Sequence, residues 1–212
     1  PNKDATFEWR VMANRGVQTA GEYRYLGTTA GGDYSGVLRA EYLPEDRKYG
    51  SSRYGWSYDH HLNTQQWDTD FILDVDLGYV SDPWYLDDLA DNLQVSSASH
   101  IPQTATLEVT DPPDIFVEGE YLYMNFDVSD YQSVDAELTD EEEPYARLPG
   151  FAVLWEKNYE LNAVDRAGSY LRDDSTQFSL RPRVDAEAVN LDHGSNNKTE
   201  GLRLDMQPSV SL

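Results

Sequence analysis

The feature that most constrains this chain is the alternation of apolar and polar side chains with a period of two. It is clearest over residues 68–80. One set of alternate positions there holds Phe71, Leu73, Val75, Leu77 and Tyr79, and the other holds Asp70, Ile72, Asp74, Asp76 and Gly78. Successive side chains of a β-strand point to opposite faces. The pattern therefore predicts a strand with one apolar face and one polar face, as in an antiparallel sheet.

Similar segments recur along the chain and are separated by turn residues or loops. They cover residues 6–13, 17–26, 34–43, 54–62, 68–80, 100–110, 115–131, 145–158, 175–191 and 198–212. Residues 81–97 are predicted to form a long loop with a short helical turn at 84–89, and residues 133–144 an acidic, irregular segment. Residues 158–174 are left unassigned. We therefore expect an all-β antiparallel meander of about eight to ten long strands.

The length of these segments favours a membrane barrel. A strand that crosses a bilayer needs about 9–11 residues, and strands of soluble proteins average about five to six. We predict that residues 1–212 form one domain, a transmembrane β-barrel or a portion of one. Two alternatives stay open, because alternation reports only two unlike faces. One is a small closed barrel that acts as a pore or an anchor, and the other is a soluble β-sandwich that binds a ligand or calcium.

Composition excludes several classes of function. The chain has 39 acidic and 16 basic side chains and a formal net charge of -23, which excludes binding to nucleic-acid phosphates. It has no cysteine, and hence no disulfide and no thiolate metal site. It contains no apolar run long enough for a transmembrane helix. The first residues, from Pro1 onward, do not resemble a signal peptide, so we expect a mature or trimmed segment.

The polar positions of the predicted strands are unusually rich in carboxylates. Charged groups are not stable in a dry interior without partners. The acidic set therefore indicates either a hydrated, negatively charged barrel interior or the solvent face of an ordinary sheet. Its members are Glu8, Glu22, Glu41, Asp70, Asp74, Asp76, Glu108, Glu118, Glu120, Asp185, Glu187 and Asp205.

Part of this set suggests calcium, because hard cations prefer clustered oxygen ligands. Asp70, Asp74 and Asp76 are weak candidates, since the spacing of a calcium-binding EF-hand loop is missing and a solvated face explains them better. His60 and His61 point to opposite faces of a strand and do not form a joint metal site. The sequence shows no catalytic constellation, so we expect neither enzymatic activity nor a cofactor.

The aromatic side chains allow two interpretations. They could form girdles at the two membrane interfaces, or they could pair within a soluble sheet. Positions near strand ends or on the apolar side favour girdles. The residues that we assign to the interfaces are Trp9, Tyr23, Tyr25, Trp56 and Tyr79.

Six short strings, in order, resemble the LptD family of lipopolysaccharide-assembly proteins. They are PNKDAT at 1–6, GEYRYL at 21–26, AEYLPED at 40–46, YVSDPWYLDD at 79–88, PYARLP at 144–149 and LDMQPSVSL at 204–212. The resemblance implies a Gram-negative outer-membrane protein that transports lipopolysaccharide. Such proteins join a periplasmic β-jelly roll to a very large barrel plugged by a lipoprotein.

The resemblance also implies partners and a position within the barrel. Lipopolysaccharide would arrive along a periplasmic bridge protein, enter the jelly roll and leave sideways into membrane lipid where the first and last strands meet. The chain would correspond to about the first third of the barrel, without the jelly roll. Within it, only residues 5–13 could represent the exit.

Overall fold

The structure, a computed structural model, describes residues 2–89, 99–111, 120–135, 139, 142–162, 177–194 and 198–212. Within these ranges the chain forms eleven β-strands and one short helix. The strands are β1 (Lys3–Met12), β2 (Gly16–Thr28), β3 (Gly32–Asp46), β4 (Ser51–Gln66), β5 (Thr69–Val80), β6 (His100–Thr110), β7 (Glu120–Ser133), β8 (Ala146–Lys157), β9 (Tyr159–Asn162), β10 (Gln177–Asp192) and β11 (Gly201–Ser211). The helix α1 (Tyr85–Leu89) follows β5.

All eleven strands belong to one antiparallel sheet. The order is β1 to β8, then β10 and β11, and β9 pairs with the beginning of β10. In the part of the chain that the structure describes, β1 and β11 are the two edges of this sheet. The all-β antiparallel meander predicted from the sequence is confirmed. The described strands form a single sheet rather than the two facing sheets of a sandwich.

The connections between early strands are tight turns, which keeps neighbours in register. Trp67 and Asp68 join β4 to β5 with positive φ angles of 53° and 61°. Two consecutive residues with positive φ form a type I′ turn, whose twist matches that of the two strands it connects. The hairpin then pairs without interruption from Gln66 opposite Thr69 to Gly55 opposite Val80.

Some boundaries differ from those predicted. The sequence placed the end of the third strand at Leu43, because a proline follows, but β3 continues to Asp46. The register shifts between Leu43 and Asp46, and Pro44 lies within this irregularity. A proline has no N–H to donate and is tolerated at such a bulge.

The chain also forms one short strand and one short helix in addition to the long strands. The four-residue β9 lies in the segment left unassigned and raises the strand count to eleven. The helical turn predicted at 84–89 is confirmed as α1. Residues 115–119, predicted as the start of a strand, lie outside the described residues. Across the described ranges, no helix is long and apolar enough to cross a membrane.

Candidate functional site

The register of neighbouring strands aligns apolar side chains with apolar ones and polar side chains with polar ones across the described sheet. On one side Leu73 of β5 lies between Leu62 of β4 and Leu107 of β6. On the other side its neighbour Asp74 lies beside His61. Directly paired residues project to the same side of a sheet. We call the side of Leu73 the apolar face and the side of Asp74 the polar face.

The polar face collects most of the predicted acidic set. Glu8 and Glu41, for example, both pair with Ala20 and so lie in one row across β1, β2 and β3. The strand partners place Glu8, Glu22, Glu41, Asp70, Asp74, Asp76, Glu108, Asp185, Glu187 and Asp205 on this face. Glu118 lies outside the described residues. The sheet thus brings acids from seven strands to one surface.

Glu120 is not brought to that surface. Its strand partner is Lys157, and the next pair on the same side is Leu122 with Trp155. Even-numbered positions of β7 here belong to the apolar face, so Glu120 shares that face. Lys157 neutralises it, with Nζ 2.7 Å from Glu120 Oε1.

Arginines on the polar face bridge acids of neighbouring strands. Arg39 donates to Glu22 at 2.9 Å and to Asp59 at 3.1 Å, and Arg24 holds both carboxylate oxygens of Asp4 at 2.9 Å. Both guanidinium groups are about half exposed, Arg39 by 50% and Arg24 by 54%. Exposed pairs of this kind contribute little stability. These exposed ion pairs indicate that the polar face is accessible to solvent. Its excess of acidic side chains gives the face a negative charge.

A further bridge crosses β7, β8 and β10. Arg147 lies 2.7 Å from Asp127 and 2.7 Å from Glu187. The glycine at position 150 makes this possible, because a Cβ there would lie 2.2 Å from an oxygen of Asp127. The backbone of β8 therefore leaves room for the bridging carboxylate.

The polar face also holds an open cavity of about 600 Å³ between β1 and β6. Arg24, Asp59, His61 and Asp74 are among its lining residues. His61 Nδ1 lies 2.6 Å from Asp74 Oδ1, although both side chains are largely exposed. Charged side chains of both signs therefore line this open space.

The weak calcium candidates lie apart along one strand. Asp70 and Asp74 are separated by about 13 Å along β5 at the usual rise per residue. No three His, Cys, Asp or Glu side chains are grouped for a metal ion among the residues that the structure describes. Asp76 shares the polar face with them, opposite Asp59. Nothing in this geometry adds to the calcium hypothesis.

One end of the polar face is covered by residues 81–89, which we call the strap. The end of the sheet at which β5 leads into the strap is the strap end. Arg53 of β4 is fully buried beneath it. Its guanidinium donates to both oxygens of Asp82 at 2.9 and 2.7 Å, to Asp46 at 3.2 Å and to Asp88 at 2.8 Å. A single arginine thus binds two strap carboxylates to β3 and β4.

A second arginine completes this charge cluster. Arg15, in the turn after β1, donates to Asp46 at 2.6 Å and also to Asp88. Burial alone would raise the pKa of Asp88, but hydrogen bonds from Arg15 and Arg53 outweigh it and hold that pKa below its usual value. Asp88 is therefore ionised and paired at neutral pH.

Apolar packing fixes the strap beside the charges. The buried cluster consists of Leu43, Val80, Tyr85, Leu86, Leu89 and Val134. The Tyr85 hydroxyl donates to Glu41 at 2.8 Å and accepts from Gln18 at 3.3 Å. Burial, followed by the charge of Glu41, raises the pKa of Tyr85, which stays neutral. Here the side chains of the polar face are buried.

The sequence did not predict this cluster. Its signals were present: three aspartates in residues 82–88, in a chain with only 16 basic residues, and Arg53 at a polar position of β4. Nothing in the spacing joins Arg15 to Asp88, which is 73 positions away. The partners become evident only from the order of the strands.

The five predicted interface aromatics share the apolar face, in two groups. Trp9, Trp56 and Tyr79 lie towards the strap end. Register across β2 to β5 places Tyr23 level with Leu77 and Tyr25 level with Val75, nearer the middle of the sheet. Trp56 and Tyr79 are direct strand partners. Trp9 is 74% exposed in the described sheet.

Polar atoms of aromatic residues on this face bond to one another. The Tyr25 hydroxyl lies 2.8 Å from that of Tyr58 and 2.7 Å from His60 Nδ1. The ring of Tyr25 lies over Gly36, where a Cβ would come within 2.3 Å of the hydroxyl. The apolar face therefore offers few open hydrogen-bonding groups at this position.

The fold and its faces define the class of protein. A single antiparallel meander with one continuous apolar face and one acidic polar face is the kind of sheet that forms the wall of a β-barrel. The family model described as LptD, LPS transport system D, matches residues 51–212. The chain therefore belongs to the LPS transport system D family.

Individual relatives match along the whole chain. It is 33% identical over 212 residues to the LPS-assembly protein LptD of Aromatoleum aromaticum and 30% identical over 213 residues to that of Cupriavidus necator. It is 31% identical over 224 residues to the LPS-assembly protein LptD of Pseudomonas aeruginosa. Each match covers 100% of this chain and 22% of the relative. The chain thus spans about a fifth of the length of these curated relatives.

Proposed function

We propose that the chain forms part of the wall of an outer-membrane β-barrel that carries lipopolysaccharide to the surface of Gram-negative cells. In this proposal the apolar face meets lipid and the polar face lines a water-filled interior. The observation that carries it is the continuous apolar face, exposed across a single sheet whose other face is acidic. The relatives' names, LPS-assembly protein, supply the cargo.

The apolar face has suitable dimensions for a bilayer. On β5 it extends from Phe71 to Tyr79, which is about 27 Å along a strand of ordinary rise. Tilted by about 40°, as in barrels, this stretch projects to about 20 Å along the membrane normal. Outer-membrane barrels have an apolar band of about 25 Å with aromatic girdles at both borders. Trp9, Trp56 and Tyr79 lie at the strap-end border of this stretch, where one such girdle would be expected.

The polar face suits a passage for the polar part of the cargo. Sugars and phosphates need hydration, while acyl chains are stable only in lipid. The many carboxylates would repel lipopolysaccharide phosphates and so prevent the cargo from binding tightly on its way. The wall positions and guides lipopolysaccharide, and no enzymatic activity is proposed.

Partners belong to the same proposal. We propose that the complete barrel works with a plug lipoprotein and a periplasmic bridge protein, and that its outer surface contacts membrane lipid. The described sheet supplies one sector of such a barrel.

Charge reversal on the polar face tests the proposal. Replacing Asp70, Asp74 and Asp76 by lysine in the full-length protein should lower the rate at which newly made lipopolysaccharide reaches the surface, because phosphates would be held by the wall. The rate can be followed by surface labelling of pulse-labelled lipopolysaccharide.

The matched control reverses the same number of charges elsewhere. Glu45, Glu142 and Glu200 are exposed and lie at strand ends or in connections, and their reversal should leave transport unchanged. An unaltered rate in the polar-face variant, with normal protein level in the membrane, would refute the role of the acidic wall.

A further inference from the structure

We propose that the strap is a latch: held by Arg53, it closes the strap end of the polar face to water and cargo, and it clears that surface only when the latch is released. The inference rests on the proposed function, in which the polar face lines a water-filled interior. It assigns a role to residues 81–89 that the family match does not supply.

The ion pairs of Arg53 hold the strap on the sheet. Arg53 has no exposed surface, and three carboxylates from β3 and the strap surround its guanidinium. A buried cation is stable only while such partners stay in place. If the strap lifted, Arg53 would lose Asp82 and Asp88 and keep only Asp46. The closed position is therefore strongly favoured.

The strap reaches across four strands. It is hydrogen-bonded to β1, where Arg10 donates to the Leu89 carbonyl oxygen at 3.0 Å, and to β2 and β3 through Tyr85. On β4, Gly55 lies under the Tyr85 ring, and a Cβ there would approach the ring to 3.1 Å. The strap thus lies flat on the polar face and does not project away from the sheet.

The closed latch divides the polar face into two zones. Beneath the strap, Val80 is 4% exposed and belongs to an apolar cluster. Further along the same face, Thr106 lines the open cavity beside Asp74. Water reaches the second zone but not the first, so the hydrated path is constricted at the strap end beside β2 to β5.

Single thiols can distinguish these zones, because residues 1–212 contain no cysteine, and the reaction of any cysteine elsewhere in the full-length protein is subtracted as background. Val80→Cys reports the covered zone and Thr106→Cys the open zone, each with little change in volume. The probe is a water-soluble maleimide, applied to the full-length protein in outer-membrane vesicles opened so that it has access from both sides. The protein without either added cysteine gives the background.

The latch is tested by combining each thiol with Arg53→Met. Val80→Cys should react slowly in the otherwise unchanged protein, and Arg53→Met should accelerate it on the order of 100-fold, since breaking a buried ion pair is that costly. Arg39→Met is the matched control: it removes an arginine on the same face that holds two exposed acids. It should leave the rate unchanged.

Folding is checked by the shift in electrophoretic mobility that a folded barrel loses on boiling. If Arg53→Met does not fold, Asp88→Asn replaces it, because Asp88 contacts both arginines yet is 27% exposed. It should give a smaller acceleration of the same sign.

Each outcome bears on one proposal. Equal rates at Val80→Cys and Thr106→Cys in the unchanged background, or no acceleration in a folded latch variant, would overturn the latch. A Thr106→Cys thiol that is unreactive in folded protein and reactive after unfolding would overturn the water-filled interior instead.

Discussion

Two adjacent residues of β5 offer a sharp test of which face meets lipid. Leu73 lies on the apolar face between Leu62 and Leu107, and Ile72 lies on the polar face between Asn63 and Glu108. Arginine at position 73 would enter hydrocarbon, whereas arginine at position 72 would enter water beside an acid. The two variants have the same chemistry and nearly the same position in the strand.

The expected loss of folding free energy depends on how deep position 73 lies in the membrane. Leu73 is two residues from Val75, the middle of the apolar stretch of β5, which places it about 5 Å from the membrane centre at the usual rise and tilt. Arginine on a lipid face costs about 2–4 kcal/mol at the midplane and almost nothing near the interfaces. We therefore expect Leu73→Arg to cost about 2 kcal/mol and Ile72→Arg to cost about a quarter of that or less.

Reversible unfolding by guanidinium of the full-length protein in lipid vesicles measures both free energies. A loss of about 2 kcal/mol corresponds to a roughly 30-fold change in the folding equilibrium. Equal losses for the two variants, or a larger loss for Ile72→Arg, would refute the assignment of faces.

Three further predictions follow from single contacts. Gly36→Ala should lower the free energy of unfolding by about 1–3 kcal/mol, because the new Cβ would displace Tyr25. Gly21→Ala is the control: its Cβ would meet Phe7 at an ordinary 3.5 Å, and the same unfolding assay should show almost no change. Lys157→Met should destabilise the folded protein by removing the ammonium group that lies 2.7 Å from Glu120 on the apolar face. Adding Glu120→Gln should restore most of the loss, and no recovery in this double variant would contradict the pairing. The pKa of Asp88 is lowered in the folded state, so its contribution to stability is complete above the unfolded value of about 3.9 and is lost as the pH falls through the folded pKa. The labelling rate of Val80→Cys divided by that of Thr106→Cys, a ratio that cancels the smaller thiolate fraction in acid, should rise below about pH 4, and a rise near pH 6 would point to another group.

The sheet and its faces were accessible from sequence because alternation is a local signal. Any residue between two apolar positions of β5 projects to the opposite side, whatever the rest of the chain does. Asp70, Asp74 and Asp76 therefore share a face, as predicted. The same rule applied to β7 explains Glu120: it is in phase with Leu122, so its charge alone was a poor guide to its face.

The strap cluster could not be predicted in this way, since it depends on distant strands. Arg53 meets Asp82 and Asp88 because β4 and β5 pair and the chain then turns back over them. The contact to Arg15 needs the further fact that β1, β2 and β3 precede β4 in spatial order. Local periodicity predicts which face a residue occupies, and only topology predicts its partners across several strands.

The edge strands of the described sheet, β1 and β11, limit how the sheet can lie in a bilayer. Phe7 and Val11 of β1 are 74% and 79% exposed, and Leu204 and Met206 of β11 are 70% and 69% exposed. Side chains on the outer face of a barrel remain exposed to lipid, but unpaired backbone N–H and C=O groups at an edge are not tolerated in hydrocarbon. In a bilayer both edges must therefore pair, either with each other or with further strands. The relatives, which are several times longer, have enough chain to supply such strands. A water-filled interior lined by the polar face exists only once that pairing is complete.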